Sequence, residues 1–316
     1  MIERALADLS QGTSLTLAIT LWDISAFNQD YPAAGRVADL IASPSREAGV
    51  RAVGYGFKGL LSIAQGQWDR AMQAFDSAQQ MDRAVGLSYR AYFLVAPFRT
   101  PPTDLESIRS SLAFITHSAT PPPPNTGIFF TIHNELVDQT RLYLRGLYAA
   151  MANDFGPAAR AAEELEALPG NSNQLTLAHD LALGVRSEIA FRQGNPALAL
   201  EHLEGRKEQT NYLLSTSHLY AGLRENYRMG ELLEQSGRHE EALRTFAGLE
   251  NQTNINPSYI APSLLWRARI SERIGQPDSA ALYYSRALAI WRNADAEFQP
   301  MVDEARAGLA RVSGER

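Results

Sequence analysis

Residues able to do chemistry are few and scattered in this 316-residue chain. It has no cysteine, which removes thiolate nucleophiles, disulfides, zinc thiolates and iron–sulfur ligation together. The histidines at 117, 133, 179, 202, 218 and 239 form no HExxH motif and no close pair on one helical face. His133 with Glu135 and Asp138 comes nearest to a metal cluster, but a zinc site needs three or four converging ligands and a polar helix start accounts for the same residues. No GxSxG, GxGxxG or P-loop occurs. The run VGYGFKG, with Gly54, Gly56 and Gly59, lacks the preceding strand that a phosphate loop requires, so it reads as close helix packing. The carboxylate pairs Glu163–Glu164 and Glu240–Glu241 fall at helix starts or outer faces, where the helix dipole explains them. The expectation is no catalytic residue, no metal, no cofactor and no enzyme.

Composition narrows the class. With 45% hydrophobic and 20% charged residues the chain can bury a large apolar area, so it should fold. At 316 residues it exceeds one compact core, which leaves two domains or a repeat array. Net charge is -6, and Lys and Arg are scattered singly, so the basic stripe of a nucleic-acid binder is missing and none is expected as partner. The start MIERALADLS lacks the positive n-region of a secretory signal, and the apolar run Leu15 to Trp22 is too short to span a bilayer. No membrane insertion and a cytoplasmic location are expected.

A search for internal repeats chooses the array. Gly59, Gly66, Trp68, Ala71, Phe75 and Ala78 define a frame that returns at Gly230, Gly237, His239, Ala242, Phe246 and Leu249. Further copies keep Gly146, Asn153, Phe155, Ala158, Ala162 and Leu165; Gly194, Ala199 and Leu203; and Gly275, Ala280, Tyr284 and Ala287. A weaker copy holds Trp22, Gln29, Tyr31, Ala34 and Ile41. Each reads as helix, tight turn, helix: the small residue lets two helices cross closely, the aromatic one turn later fills the space beside the crossing, and the turn residue adopts positive φ. Pro196 and Pro277 then lie in a first helical turn, where a missing N–H is harmless.

The crossing alanines 34, 71, 158, 199, 242 and 280 are separated by 37, 87, 41, 43 and 38 residues. The doubled interval hides a degenerate hairpin at about 84–116, with Leu87, Tyr89, Phe93 and Leu94 on one helix and Leu105, Ile108, Leu112 and Ile115 on the next. The chain is therefore expected to be an all-α, right-handed α-solenoid of about seven hairpins. Residues 1–120 hold three of them, 121–127 form a proline-rich loop, 128–293 hold four, and 294–316 carry a capping helix, Gln299 to Val312, with Met301, Val302, Ala305 and Leu309 turned inward.

On this pattern of Gly, aromatic, Ala and Phe the chain resembles the tetratricopeptide repeat superfamily, most strongly at 52–83, 223–250 and 261–292. More narrowly, PFRTPP at 97–102 and the run from Arg273 to Val312 look like the C-terminal repeat half of bacterial serine/threonine kinases and related regulators, although no kinase motif is present. The resemblance implies a protein or peptide partner held on a concave face made by the first helix of each hairpin. Carried over by position, that face comprises Tyr143, Leu147, Met151, Glu188, Arg192, Arg224, Tyr227, Glu231, Leu265, Arg269 and Arg273. Aromatic, Met and Arg side chains are the types enriched at interface cores. The Lys and Asn carboxylate clamp of chaperone-tail receptors is not reproduced; Asn226 stands without its companions. Two alternatives stay open: a small-molecule sensor with a pocket walled by Tyr143, Phe191 and Tyr227, and a homo-oligomerising module.

Overall fold

Six places in the chain make the same turn for the same local reason. Gly66, Gly194, Gly237 and Gly275 adopt φ between +73° and +77°, and Asn153 and Gln29 take the same left-handed backbone at +59° and +57°. In each case the N–H one residue further on donates back across the turn: Gln67 to Ser62 O, Asn195 to Ala190 O, Arg238 to Leu233 O, Gln276 to Ser271 O, Asp154 to Ala149 O and Asp30 to Ser25 O, all at 2.8–2.9 Å. This six-to-one bond closes a helix and redirects the chain into its partner helix.

The computed structural model describes residues 15–98, 136–207, 222–251 and 257–314, and every regular element among them is helical. The helices are α1 (Leu15–Phe27), α2 (Tyr31–Ile41), α3 (Ala48–Ala64), α4 (Trp68–Met81), α5 (Arg83–Leu94), α6 (Val137–Met151), α7 (Phe155–Glu166) and α8 (Ser172–Arg192). They continue as α9 (Pro196–Glu204), α10 (Leu223–Gln235), α11 (His239–Asn251), α12 (Ile260–Arg273), α13 (Pro277–Ile290) and α14 (Gln299–Val312), with a short 3₁₀ turn Pro257–Tyr259 before α12. Pro196 and Pro277 open α9 and α13, and Asn195 caps α9 by accepting the Leu198 N–H at 3.1 Å. His117, His133, His218, the helix expected around Leu105 to Ile115 and the loop at 121–127 lie outside the described residues.

The crossing residues behave as the repeat frame requires. Ala34, Ala71, Ala158, Ala199, Ala242 and Ala280 are all fully buried, as are Phe75 and Phe246, with Tyr284 nearly so. A Cβ built on Gly59 would stand 2.0 Å from the Phe75 ring, and one on Gly54 would stand 2.4 Å from the backbone nitrogen of Ala42. The glycines of VGYGFKG therefore serve close helix packing. On α14, Val302 and Ala305 face inward, Met301 and Leu309 are half-buried, and Gly308 is the close-approach residue, since a Cβ there would meet the Tyr284 ring at 2.3 Å.

Contacts divide the chain into two compact units, Met1–Gly86 with His239–Arg316 and Leu87–Arg238, so α5 spans the boundary. This grouping differs from the division at the proline-rich loop drawn from sequence. In the first unit α1 packs on α2, α2 on α3 and α3 on α4, and separately α11 on α12, α12 on α13 and α13 on α14. These two sets are joined. α4 has no side-chain cap of its own at Gln67. Asp295 supplies one from 226 residues away: its carboxylate accepts the Asp69 N–H at 3.0 Å, and its own N–H donates to Gly66 O at 2.9 Å. Ser258 adds a hydrogen bond to Leu60 O at 3.3 Å. In the second unit α6, α7 and α8 pack mutually, followed by α9 on α8 and α10 on α9.

One group in the first unit opposes folding at neutral pH. Trp22 stacks on Phe57 with ring centroids 4.3 Å apart, and the next residue, Asp23, has a carboxylate oxygen buried with no hydrogen-bond partner. Burial raises its pKa to about 7. A carboxyl raised in the folded state favours folding at low pH, and that advantage is lost as pH rises from about 4 through about 7. Asp23→Asn is therefore expected to stabilise the protein by about 2 kcal/mol at pH 8 and to change little at pH 4. Urea melts at both pH values check it; equal effects at the two would sink the assignment.

Candidate functional site

The inner faces of α6, α8 and α10 bring six of the expected groove residues into one cluster: Tyr143, Glu188, Arg192, Arg224, Tyr227 and Glu231. At its centre is the fully buried Glu188 carboxylate. Arg192 Nε donates to one oxygen at 2.9 Å; Arg224 Nη2 donates to the other at 2.9 Å, and Arg228 Nη2 lies 3.5 Å from that same oxygen. Burial alone would push the acid's pKa up, but Arg224 and Arg228, with the bonds from Arg192 and Arg224, hold it down to about 2. Glu188 is thus a permanent anion. Arg224, also buried, has its pKa raised: desolvation works against its charge, and Glu188 foremost outweighs it.

The network extends on both sides. Arg224 Nη1 lies 3.9 Å from Glu225 Oε1, and the Tyr143 hydroxyl donates to that same oxygen. Arg228 Nη1 donates to Glu231 at 2.6 Å, and its guanidinium lies 4.1 Å above the Phe191 ring. Three arginines face three glutamates, so charge balances inside a water-poor interior. What this arrangement offers chemically is a set of oriented donors that cannot lose their protons.

One donor is used on main chain. Arg224 Nε donates at 3.0 Å to the carbonyl of Val95, 129 residues away. Phe93, Val95 and Ala96 are buried, and Phe98 meets Tyr227 edge to face with centroids 5.8 Å apart. The stretch Phe93–Phe98, the end of α5 and the residues beyond it, thus covers part of this face.

That cover changes what the sequence frame implied. Tyr143, Glu188, Arg224 and Tyr227 are at most 3% exposed, and Leu147 and, in the other unit, Leu265 are as deeply buried among their own neighbours, so these six form interior where an open wall was expected. Of the three aromatics named for a sensor pocket, Tyr143 and Tyr227 are buried, and Phe191 is half-buried beneath the Arg228 guanidinium. Met151, Arg192 and Glu231 keep part of their surface on the rim of the cluster. Leu265, Arg269 and Arg273 belong to the other unit, where Arg269 forks onto Glu304 at 2.5 and 2.6 Å and lies 4.4 Å over the Trp266 ring, while Arg273 is exposed. Glu225 and Arg228 were missed from sequence. The signal was in the run Arg224-Glu225-Asn226-Tyr227-Arg228, which alternates charge along one helix and reads equally well as a solvated face.

Elsewhere in this unit the described residues include local ion pairs. Arg186 grips Glu166 bidentately at 2.6 Å per bond, lowering the acid's pKa, and His179 Nδ1 sits 3.5 Å from the same carboxylate. Glu164 pairs with Arg145 at 2.6 Å. Among the described residues no group of three metal-ligating side chains converges, and no helix is long and apolar enough to cross a membrane.

No family model matches the chain, and no curated protein matches it. Among solved structures it is similar to one from a functional characterization of Pseudomonas aeruginosa pilF, at 14% identity over 81% of this chain and 96% of that one, with a TM-score of 0.39. It is also similar to a tetratricopeptide repeat protein of Parabacteroides merdae, at 14% identity over 96% of this chain and 99% of that one, again with a TM-score of 0.39.

Proposed function

We propose that the chain is a non-catalytic protein-interaction module of the tetratricopeptide type, whose first-helix faces hold an extended segment of polypeptide. The observation that carries this reading is the grip on Val95: a buried arginine, its charge set by Glu188, takes a backbone carbonyl while Tyr227 takes an aromatic side chain. Main-chain capture with one side-chain anchor is how a face of this kind would bind another chain in extended form. The rim residues Arg192, Glu231 and Met151 are the points such a partner would reach. The narrower resemblance extends the proposal to a regulatory role in signalling beside a separate effector such as a kinase.

The test uses an array of short peptides probed with the intact chain and with the double variant Arg192→Ala/Glu231→Ala. Arg192 and Glu231 are 23% and 12% exposed and pair with side chains that are at most 8% exposed, so the variant is expected to lose some stability, and circular dichroism must show that it keeps its helicity. Glu188 retains Arg224 and Arg228, and Arg228 retains Glu188. The expected result is a set of peptides bound by the intact chain and weakened about tenfold in the variant, the loss expected from one to two removed charge contacts. Equal binding by both proteins would show that this rim is not where partners dock.

A further inference from the structure

In the first unit, α2, α3, α4 and the end of α13 line an open cavity of about 820 Å³, within the size range of small-ligand sites. Its charge is one-sided. Among the described lining residues, Lys58, Arg70, Arg286 and Arg292 face the carboxylate of Asp39 alone. Two of the cations are matched: Lys58 Nζ lies 2.6 Å from Asp39, and Arg286 Nη2 lies 3.0 Å from Glu250. Arg70 and Arg292 are exposed at the cavity wall, and neither has a carboxylate partner among the described residues; Arg70 makes one long hydrogen bond, to Gln67 at 3.4 Å. This positive excess occurs in a chain whose net charge is -6.

Tyr31 also lines the cavity. Its hydroxyl is buried and makes no hydrogen bond, although buried polar groups nearly always find a partner. The charges of Arg286 and Glu250 both bear on it. That hydroxyl stands beside the Arg286–Glu250 pair, while the unmatched guanidinium groups are those of Arg70 and Arg292. The cations stand on different helices, Lys58 on α3, Arg70 on α4, and Arg286 and Arg292 on and just past α13, so an ion with one charged group would reach only one wall.

We propose that this cavity binds a small polyanion carrying two or more phosphate or carboxylate groups, with Arg70 and Arg292 taking the anionic groups as bidentate forks. The site is separate from the inner face of the second unit, so its failure would leave the proposed function standing.

The experiment is calorimetric titration and thermal shift on the full chain with sodium pyrophosphate, citrate and ATP, each against chloride at matched ionic strength, and with hexaglutamate as the peptide counterpart. At least one of the three small polyanions is expected to bind with Kd below about 1 mM and to raise Tm. Pyrophosphate or citrate alone would assign phosphate or carboxylate chemistry, and ATP alone would assign a phosphate ligand with an aromatic body against Tyr55. Arg70→Ala/Arg292→Ala, both at exposed positions, should keep the helicity and weaken binding at least about tenfold. Tyr31→Phe should raise the Tm of the unliganded protein, because an unpartnered buried hydroxyl is removed, and should leave binding within about threefold. The proposal is overturned if none of the three binds beyond chloride, if the double arginine variant binds as tightly as the parent, or if hexaglutamate alone binds, which would make the occupant an acidic peptide.

Discussion

Glu188→Gln is expected to destabilise the protein by about 3–5 kcal/mol, the cost of breaking a buried ion pair from one side. The substitution keeps the shape of the side chain and removes only its charge. Arg224, 2% exposed, and Arg228 would then sit in the interior with one fewer counter-charge. Linkage gives a similar magnitude independently. The carboxyl titrates at about 2 in the fold against a reference of 4.5, and a difference of that size corresponds to about 3 kcal/mol. Because the folded pKa is depressed, this stabilisation is present above about pH 4.5 and is lost as pH falls towards 2. The parent should therefore lose stability across that window, and Glu188→Gln should lose less. All four tryptophans, at 22, 68, 266 and 291, lie in the first unit. Circular dichroism is thus the readout for this second-unit change, with tryptophan fluorescence reporting the first unit in the same urea titration. A loss under 1 kcal/mol would mean that the cluster does not hold the fold. Arg244→Ala, at a pair whose side chains are 70% and 88% exposed, should change nothing measurable.

The second large effect concerns the repeat crossing itself. Gly59→Ala should cost about 3 kcal/mol, at the upper end for overpacked cores, because the new methyl would fall 2.0–2.6 Å from three atoms of the fully buried Phe75 ring. Helix propensity alone predicts the opposite sign, a gain of up to about 1 kcal/mol for alanine over glycine. That gain is expected at Gly248 of α11, where a Cβ would meet nothing within 4 Å. Shrinking the ring should rescue the first variant, so Gly59→Ala/Phe75→Leu is expected to be more stable than the sum of its singles, with a coupling of about 1–3 kcal/mol. Urea melts followed by tryptophan fluorescence measure all four proteins. If Gly59→Ala proves stabilising, the helix crossing is looser than this geometry.

The hairpins were legible because everything that makes them is local. A turn glycine, a crossing alanine five residues later and an aromatic one turn beyond carry their instruction within about twenty residues of sequence. Among the described residues six turns and six crossing alanines are found as the pattern requires, down to Asn153 and Gln29 taking the left-handed turn without being glycine. The candidate site was legible only in part. Helical spacing on α6, α8 and α10 did bring Tyr143, Glu188, Arg224 and Tyr227 onto one face, yet the same spacing carries no information on what lies over that face. The cover comes from residues 93–98, and the bond that seats it, Arg224 to Val95, joins positions 129 residues apart. An arginine beside a glutamate on a helix looks the same in sequence whether water or a carbonyl completes it.

By itself, then, the sequence determined an all-helical chain of hairpins, the position of each turn and crossing, and the absence of cysteine chemistry. The tertiary structure alone decided which hairpins meet. Repeats that resemble one another present similar faces, and local rules do not choose among them. The choice rests on complementary details far apart in the chain: Asp295 capping α4 at Asp69, Gly66 leaving room for Ala294 and Trp291, and Ser258 reaching Leu60. Those contacts join the first hairpins to the last in one unit, whose helices also line the cationic cavity. Burial follows the same division of labour. Periodicity says which side of a helix is apolar or charged, but only the packing of distant segments decides whether a charged side faces solvent or, like Glu188, is enclosed and must be neutralised by its neighbours.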